Sequence, residues 1–215
     1  YTSNNTIYGT QFHEIPEHGA APLVCDMSSD ILHGPVDVRR FAMIYAGAQK
    51  NLGPAGVTVL VVRKDMLARS RADLPELFSY KLVAGKDSML NTPPVYAIYL
   101  VGLVAKHLIA LGGAAAALAR NQRKARLLYD AIDDSGGFWR GHARADSRSL
   151  MNVTFRGPSA ELEARFVREA EAEAFIGLEG HRSVGGLRAS IYNAVPLESV
   201  QALVAFMDEF RRRNG

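Results

Sequence analysis

Short apolar runs broken by glycine and proline dominate the first third of the chain. Leu23-Val24-Cys25, Phe41-Ala42-Met43-Ile44-Tyr45 and Val57-Thr58-Val59-Leu60-Val61-Val62 each have the length of a strand, and turn formers separate them. The third run is apolar or Thr throughout, the pattern of a strand covered on both faces. Residues 35–41 read as a connector. Residues 63–89 read as polar and irregular, with a short helix over 64–67. A long helix is predicted from Pro93 onward, with Thr92 as its cap and proline in the first turn. Ala, Leu and Arg fill 114–133, which predicts a second long helix after Gly112-Gly113. Beyond it come a strand over 151–155, a helix over 160–173, strand-like runs within 180–191 and a closing helix over 196–212. Strands alternating with helices indicate an α/β fold, with a smaller α/β domain packed on a larger one. The division is placed at 1–116 and 117–215.

Composition narrows the classes. Apolar residues are 48% of the chain, enough for a real core, and the 19 glycines suit a backbone that turns sharply or approaches a ligand closely. The net charge of +3 and pI near 9.1 are mildly basic, but the charges are scattered. Arg63-Lys64 and Arg211-Arg212-Arg213 are the tight clusters, and the latter suits a helix C-terminus. No nucleic-acid partner is expected. Cys25 is the single cysteine, so no intrachain disulfide forms. It reads as a buried strand residue, and its reduced state fits a cytoplasmic setting. The histidines lack ligand spacing, so no metal is expected. The longest apolar stretch, 95–118, is interrupted by Lys106, His107 and paired glycines and reads as a buried helix rather than a membrane span. No leader segment and no membrane partner are expected.

Candidate chemistry centres on Lys50, in Ala46-Gly47-Ala48-Gln49-Lys50-Asn51-Leu52-Gly53-Pro54-Ala55-Gly56. An amine wrapped in small residues between two strands is placed to meet a flat cofactor. Upstream, Asp26 ends a short apolar run. A carboxylate on one strand end and a lysine on a later loop is a pyridoxal phosphate arrangement: the lysine forms a Schiff base, and the carboxylate keeps the pyridinium nitrogen protonated. Taken alone, Lys50 reads equally as a solvated charge in a glycine-rich loop. Asp26 reads equally as a turn former with Ser28, Ser29 and Asp30. The residues by themselves leave both readings open.

The wording around them is more specific. Asp26-Met27-Ser28-Ser29, the Ile44–Gly56 block, Asn91-Thr92-Pro93-Pro94 and Gly180-His181-Arg182-Ser183-Val184-Gly185-Gly186-Leu187-Arg188-Ala189-Ser190-Ile191-Tyr192-Asn193-Ala194 resemble, in order and over nearly the whole chain, the phosphoserine aminotransferases, which are class V enzymes of pyridoxal phosphate fold type I. The last block is the one that separates this family from other aminotransferases of the same fold. The resemblance implies the C-terminal part of that fold, a mostly parallel sheet with helices plus a smaller C-terminal domain, with the N-terminal part of the family's chain absent from this sequence.

The resemblance also implies roles. Lys50 carries the Schiff base, and Asp26 pairs with the pyridine nitrogen. Thr6 and Gln49 contact the cofactor. Thr6 sits in Asn4-Asn5-Thr6-Ile7, where the family often has Glu in place of Asn5. Asn91 and Thr92 bind the cofactor phosphate from the partner subunit of a homodimer. His181, Arg182 and Arg188 hold the anionic groups of glutamate and a phosphorylated keto acid, 3-phosphohydroxypyruvate, in serine biosynthesis. Arginine suits this task because its planar fork meets carboxylate or phosphate with paired hydrogen bonds. Two alternatives stay open: another fold type I aminotransferase acting on a non-phosphorylated acid, and a catalytically incomplete interaction fragment.

Overall fold

A computed structural model describes residues 1–215. The chain opens with a hairpin, β1 (Asn4–Asn5) antiparallel to β2 (Thr10–Gln11). β3 (Val24–Asp26), β4 (Met43–Gly47) and β5 (Thr58–Val62) then form a sheet in that order. β3 runs parallel to β4, and β4 antiparallel to β5. Along β4 the buried Ile44 and Ala46 alternate with half-buried Met43, Tyr45 and Gly47, the period of two that a pleated strand imposes. Leu23, Cys25, Met27, Phe41 and Ile44 form a small core against this sheet.

Four helices follow: α1 (Lys64–Ala68), α2 (Tyr80–Gly85), α3 (Val95–Ala110) and α4 (Gly113–Asp133). α3 and α4 meet at 82°. The bend is made by Gly112 and Gly113 at φ 96° and 70°, a left-handed conformation that a side chain would strain. The remaining elements are β6 (Arg140–Gly141), β7 (Asn152–Arg156), α5 (Ala160–Ala172), β8 (Leu187–Ser190) and α6 (Leu197–Asn214). β6, β7 and β8 make a second sheet, antiparallel throughout. Ser159 caps α5 by accepting from the Leu162 amide at 3.2 Å.

The larger core lies between this sheet and α4, α5 and α6. Leu128 and Ile132 of α4, Phe166 of α5 and Met207 and Phe210 of α6 pack with Val153, Phe155 and Leu187 of the strands. Trp139 sits among them, with ring centroids 5.5 Å from Phe155 and 5.0 Å from Phe166 in edge-on geometry. Each fully buried side chain of this kind contributes about 1.5–3 kcal/mol.

The N-terminal hairpin ties the two cores together. The Asp26 amide donates to Tyr1 O at 2.9 Å, and the Ser3 amide to Asp26 O at 3.0 Å. On the far side, Ser149 N–H donates to Gly9 O at 3.0 Å, and Thr154 Oγ1 to Tyr8 O at 2.8 Å. Asn4 and Asn152, both buried, join through Asn4 Nδ2 to Asn152 Oδ1 at 2.9 Å.

Five details depart from the sequence expectations. Among the strand pairs only β3 with β4 is parallel, with an isolated parallel bridge from Thr2 to Asp26 beside it; every other strand pair is antiparallel. β5 is not covered on both faces: it is the sheet's edge, and Val61 is 44% exposed. α3 is not buried. Leu108 is its one buried residue, while Tyr96 and Ile109 are each 73% exposed, because no other element of this chain lies over those side chains. Thr92 does not cap α3: Pro94 holds the cap position, with no side-chain hydrogen bond there. The irregular 63–89 stretch also holds α2, whose Ser79 cap accepts from Leu82 N–H. No single helix is long and apolar enough to cross a membrane.

Candidate active site

Lys50 is raised on a tight turn. The Ala48 carbonyl accepts from the amides of Leu52 at 3.1 Å and Gly53 at 2.8 Å, and Ala48 N–H donates to Val57 O at 2.9 Å. Gly53 is favoured by space, since a Cβ there would lie 2.9 Å from Val101 Cγ2 of α3. The turn follows β4 directly, so the sheet fixes its base.

Asp26 ends β3 opposite Tyr45 of β4. Its Oδ1 accepts from the Ser28 amide at 2.8 Å, and Ser28 Oγ accepts from the Gly47 amide at 3.0 Å. Asp26 is therefore a turn former as well as the acid next to the lysine loop. Its charge pushes the Tyr45 phenol up, with some loss of solvent adding to the effect. Gln49 is exposed and its amide lies over Gly47, where a Cβ would meet Oε1 at 2.7 Å.

The hairpin supplies the other wall. Asn5 Oδ1 accepts from the amides of Ile7 and Tyr8, both at 3.0 Å, which turns the chain after β1 and presents Thr6. Lys50 Nζ donates to Thr6 Oγ1 at 2.7 Å. Burial holds the Lys50 amine below its ordinary value, and the Arg188 cation pushes the same way; Asp26 and Asp30 oppose both. Arg188 projects from β8, and its Nε is buried without a partner. Lys50, Thr6, Asp26 and Arg188 thus converge from four separate segments.

The other expected residues do not join this group within the single chain. His181 and Arg182 lie on the loop before β8, where His181 Nδ1 contacts Ser183 Oγ at 2.7 Å and Arg182 is exposed without an ion pair. That loop is held by the Arg156 guanidinium, which donates to the Val184 carbonyl. Asn91 and Thr92 are exposed ahead of α3, and no hydrogen bond ties them to Lys50, Thr6 or Asp26.

The donor set fits pyridoxal phosphate. An amine of lowered affinity for protons is a better nucleophile toward an aldehyde. A carboxylate on the neighbouring strand end suits a ring N–H, and the orphaned Arg188 Nε is a buried donor beside the amine. Sequence reading missed the amides behind this group. Asn51 and Asn193 meet through the Asn193 N–H and Asn51 Oδ1 at 2.8 Å, and Lys124 is buried against the same turn. The adjacency of Asn51 to Lys50 was the available signal; nothing distinguishes Lys124 within an Ala- and Arg-rich helix.

Known proteins match this chain throughout. The family model for class-V aminotransferases matches residues 1–203. A phosphoserine aminotransferase from Geobacillus kaustophilus is 58% identical over 212 residues, covering 99% of this chain and 59% of the relative. The solved phosphoserine aminotransferase from Bacillus circulans subsp. alkalophilus superposes with a TM-score of 0.97 at 55% identity, over 100% of this chain and 59% of that one. A pyridoxal-phosphate-bound phosphoserine aminotransferase from Trichomonas vaginalis gives 0.92 at 39% identity, over 97% and 59%. The chain therefore spans about three-fifths of the length of the relatives it matches. With the model match over nearly its whole length and the fold type I architecture of its structural neighbours, the chain belongs to the class-V aminotransferase family.

Proposed function

We propose that this chain carries the lysine-bearing part of a pyridoxal-phosphate-dependent transaminase that moves an amino group between glutamate and 3-phosphohydroxypyruvate, giving phosphoserine and 2-oxoglutarate. The observation that carries the reading is the Lys50 amine, half-buried, hydrogen-bonded to Thr6 and held below its ordinary pKa. The high identity to phosphoserine aminotransferases supports the substrate pair.

When bound, pyridoxal phosphate supplies an aldehyde for amine exchange and a protonated ring that accepts electron density. Asp26 would pair with the ring nitrogen and favour its protonated form. Lys50 takes the proton from the substrate α-carbon as general base and later returns one as general acid, a task for which a lowered pKa is suited. Thr6 orients the amine through its hydroxyl. Gln49, whose amide lies over Gly47, would be a cofactor contact. Arg188 binds the substrate α-carboxylate, and His181 and Arg182 bind the distal phosphate or carboxylate. Asn91 and Thr92 complete the cofactor phosphate site of a second subunit in a homodimer, which their exposure allows. Residues 1–116 then belong to the cofactor-binding domain and 117–215 to a smaller C-terminal domain, in a cytoplasmic enzyme.

The test is reductive trapping. The chain is mixed with pyridoxal phosphate, reduced with borohydride and mapped by peptide mass. The label is expected on Lys50, and Lys50→Ala should lose it. Equal labelling of the variant, or a label spread over exposed lysines alone, overturns the reading.

A further inference from the structure

Behind the Lys50 turn lies a buried polar cluster that none of these roles uses. Lys124 of α4 is 2% exposed. Its Nζ donates to the carbonyls of Ile191 and Tyr192 at 2.8 Å and Val195 at 3.0 Å. An ammonium has three donors and no acceptor, so the cluster satisfies it in full. These carbonyls define the turn that follows β8, the strand bearing Arg188.

The opposite side of that turn is held by amides. The Asn193 N–H donates to Asn51 Oδ1 at 2.8 Å, and Asn51 Nδ2 donates to Ile31 O at 2.7 Å. Asn193 Nδ2 donates to Leu32 O at 2.9 Å, and Asn193 Oδ1 accepts from Asn121 Nδ2 at 2.7 Å. Every group of both side chains that can be directional is therefore engaged. Asn51 directly follows Lys50, and it is 142 residues from Asn193 in sequence.

We propose that the Asn51 side chain, bonded to the Asn193 backbone N–H and braced by the Asn193 amide, is a positioning latch that clamps the Lys50 turn to the turn after Arg188 and so holds the Lys50 amine in its half-buried place beside Thr6 and Arg188. The inference rests on the transaminase reading for its purpose, but its geometry does not. An amide that both donates and accepts fixes orientation as well as distance, which a single apolar contact does not. Release of the latch lets the turn move outward, rehydrates the amine and separates it from the Arg188 cation.

The experiment reads Lys50 without cofactor. Competitive acetylation across a pH series, quantified by peptide mass, gives the Lys50 titration midpoint in the chain itself, with exposed Lys81 and Lys106 as internal standards for reagent reactivity. Asn51→Ala, which removes the acceptor of the Asn193 backbone N–H, is expected to move that midpoint upward, toward that of a solvated lysine; Asn193→Ala keeps that N–H, removes only the bonds to Leu32 and Asn121, and is expected to move it less. Asn51→Ser replaces Asn51→Ala if the latter melts below the assay temperature, and Asn51 variants are the ones that decide. Phe166→Ala is the control for general loosening: it disrupts the larger core without touching the latch, lowers the melting temperature and leaves the midpoint in place. Folded latch variants with an unmoved midpoint overturn the proposal, as does an equal shift in Phe166→Ala. The two failures are separable. A wild-type chain that takes no pyridoxal label at Lys50 sinks the function reading, whereas a labelled wild type with unmoved variants sinks the latch alone.

Discussion

Lys124→Met tests the buried ammonium through the pH dependence of stability. Methionine keeps the length of the side chain and removes the charge and all three donors. In the folded chain the Lys124 amine is held down from 10.5 to about 8, first by burial and then by the Arg120 cation. A drop of that size corresponds to roughly 3 kcal/mol at about 1.36 kcal/mol per pH unit. The ammonium is 2% exposed at the wall of a cavity of about 680 Å³, and its bonds to three carbonyls favour the charged form and offset part of the burial effect, so we expect about 2 kcal/mol. The sign follows from proton binding. Between pH 8 and 10.5 the unfolded chain holds a proton that the folded chain has released, so raising the pH favours folding. The Lys124 contribution is complete above 10.5 and is lost as the pH falls through about 8.

Urea unfolding of both proteins across this window isolates the effect, because every other titrating group cancels in the difference. At the acid end the substitution still costs about 1–3 kcal/mol for the carbonyls left without a donor. The gap between wild type and Lys124→Met should then widen by about 2 kcal/mol toward pH 10.5. A gap that stays constant refutes the reasoning, since it means that Lys124 ionises alike in both states. A gap that narrows means that the folded chain holds this proton more tightly than the unfolded one.

Phe166→Ala should lower unfolding free energy by about 3–5 kcal/mol, because Phe166 is fully buried among Trp139, Phe155 and Phe210; a loss under about 1 kcal/mol in urea unfolding would contradict that packing. Arg188→Lys should weaken glutamate binding about tenfold while leaving the pyridoxal label on Lys50, because lysine loses the bidentate fork; an unchanged dissociation constant by calorimetry counts against Arg188 as the carboxylate clamp.

The parts of the fold set by local pattern were legible. α4 has helix formers throughout and a glycine pair at its start, and α5 begins at a serine whose hydroxyl caps it. Cys25 was readable as core because it lies in an apolar run, and it is fully buried. What failed depends on neighbours. The continuous apolar run of β5 implies two covered faces, yet pattern cannot say whether a covering element exists in the same chain, and here β5 is an edge. The same limit applies to α3, whose apolar residues are spread around the helix and stay largely exposed. In the site, residue type and order raised Lys50 and Asp26 as candidates but left a solvated charge and a turn former equally open, and the family wording singled them out. The Thr6 contact spans 44 residues, and the approach of Arg188 to Lys50 depends on how two sheets are joined. The family resemblance implied only that these residues share one site; the contacts themselves were not legible, since no periodicity encodes them.

The choice of amides at the junction follows from the charges already there. Lys50, Arg188, Lys124, Arg120 and Arg123 place five cations around the Lys50 turn, the cavity beside it and the strand facing it. A carboxylate at Asn51 or Asn193 could accept the same hydrogen bonds, but it would lose the donations to the Ile31 and Leu32 carbonyls and add a negative charge close to the Lys50 amine. Opposite charges favour the protonated amine, as Asp26 and Asp30 already do. An arginine or lysine at either position would supply donors only and leave the Asn193 N–H or the Asn121 amide without an acceptor. A neutral amide is the side chain that fixes two backbones, donates and accepts, and leaves the electrostatics of the amine to burial and Arg188. Structure and reactivity are thus coupled at one place: the junction that orders the chain is built from groups that do not restore the proton which burial has loosened from Lys50.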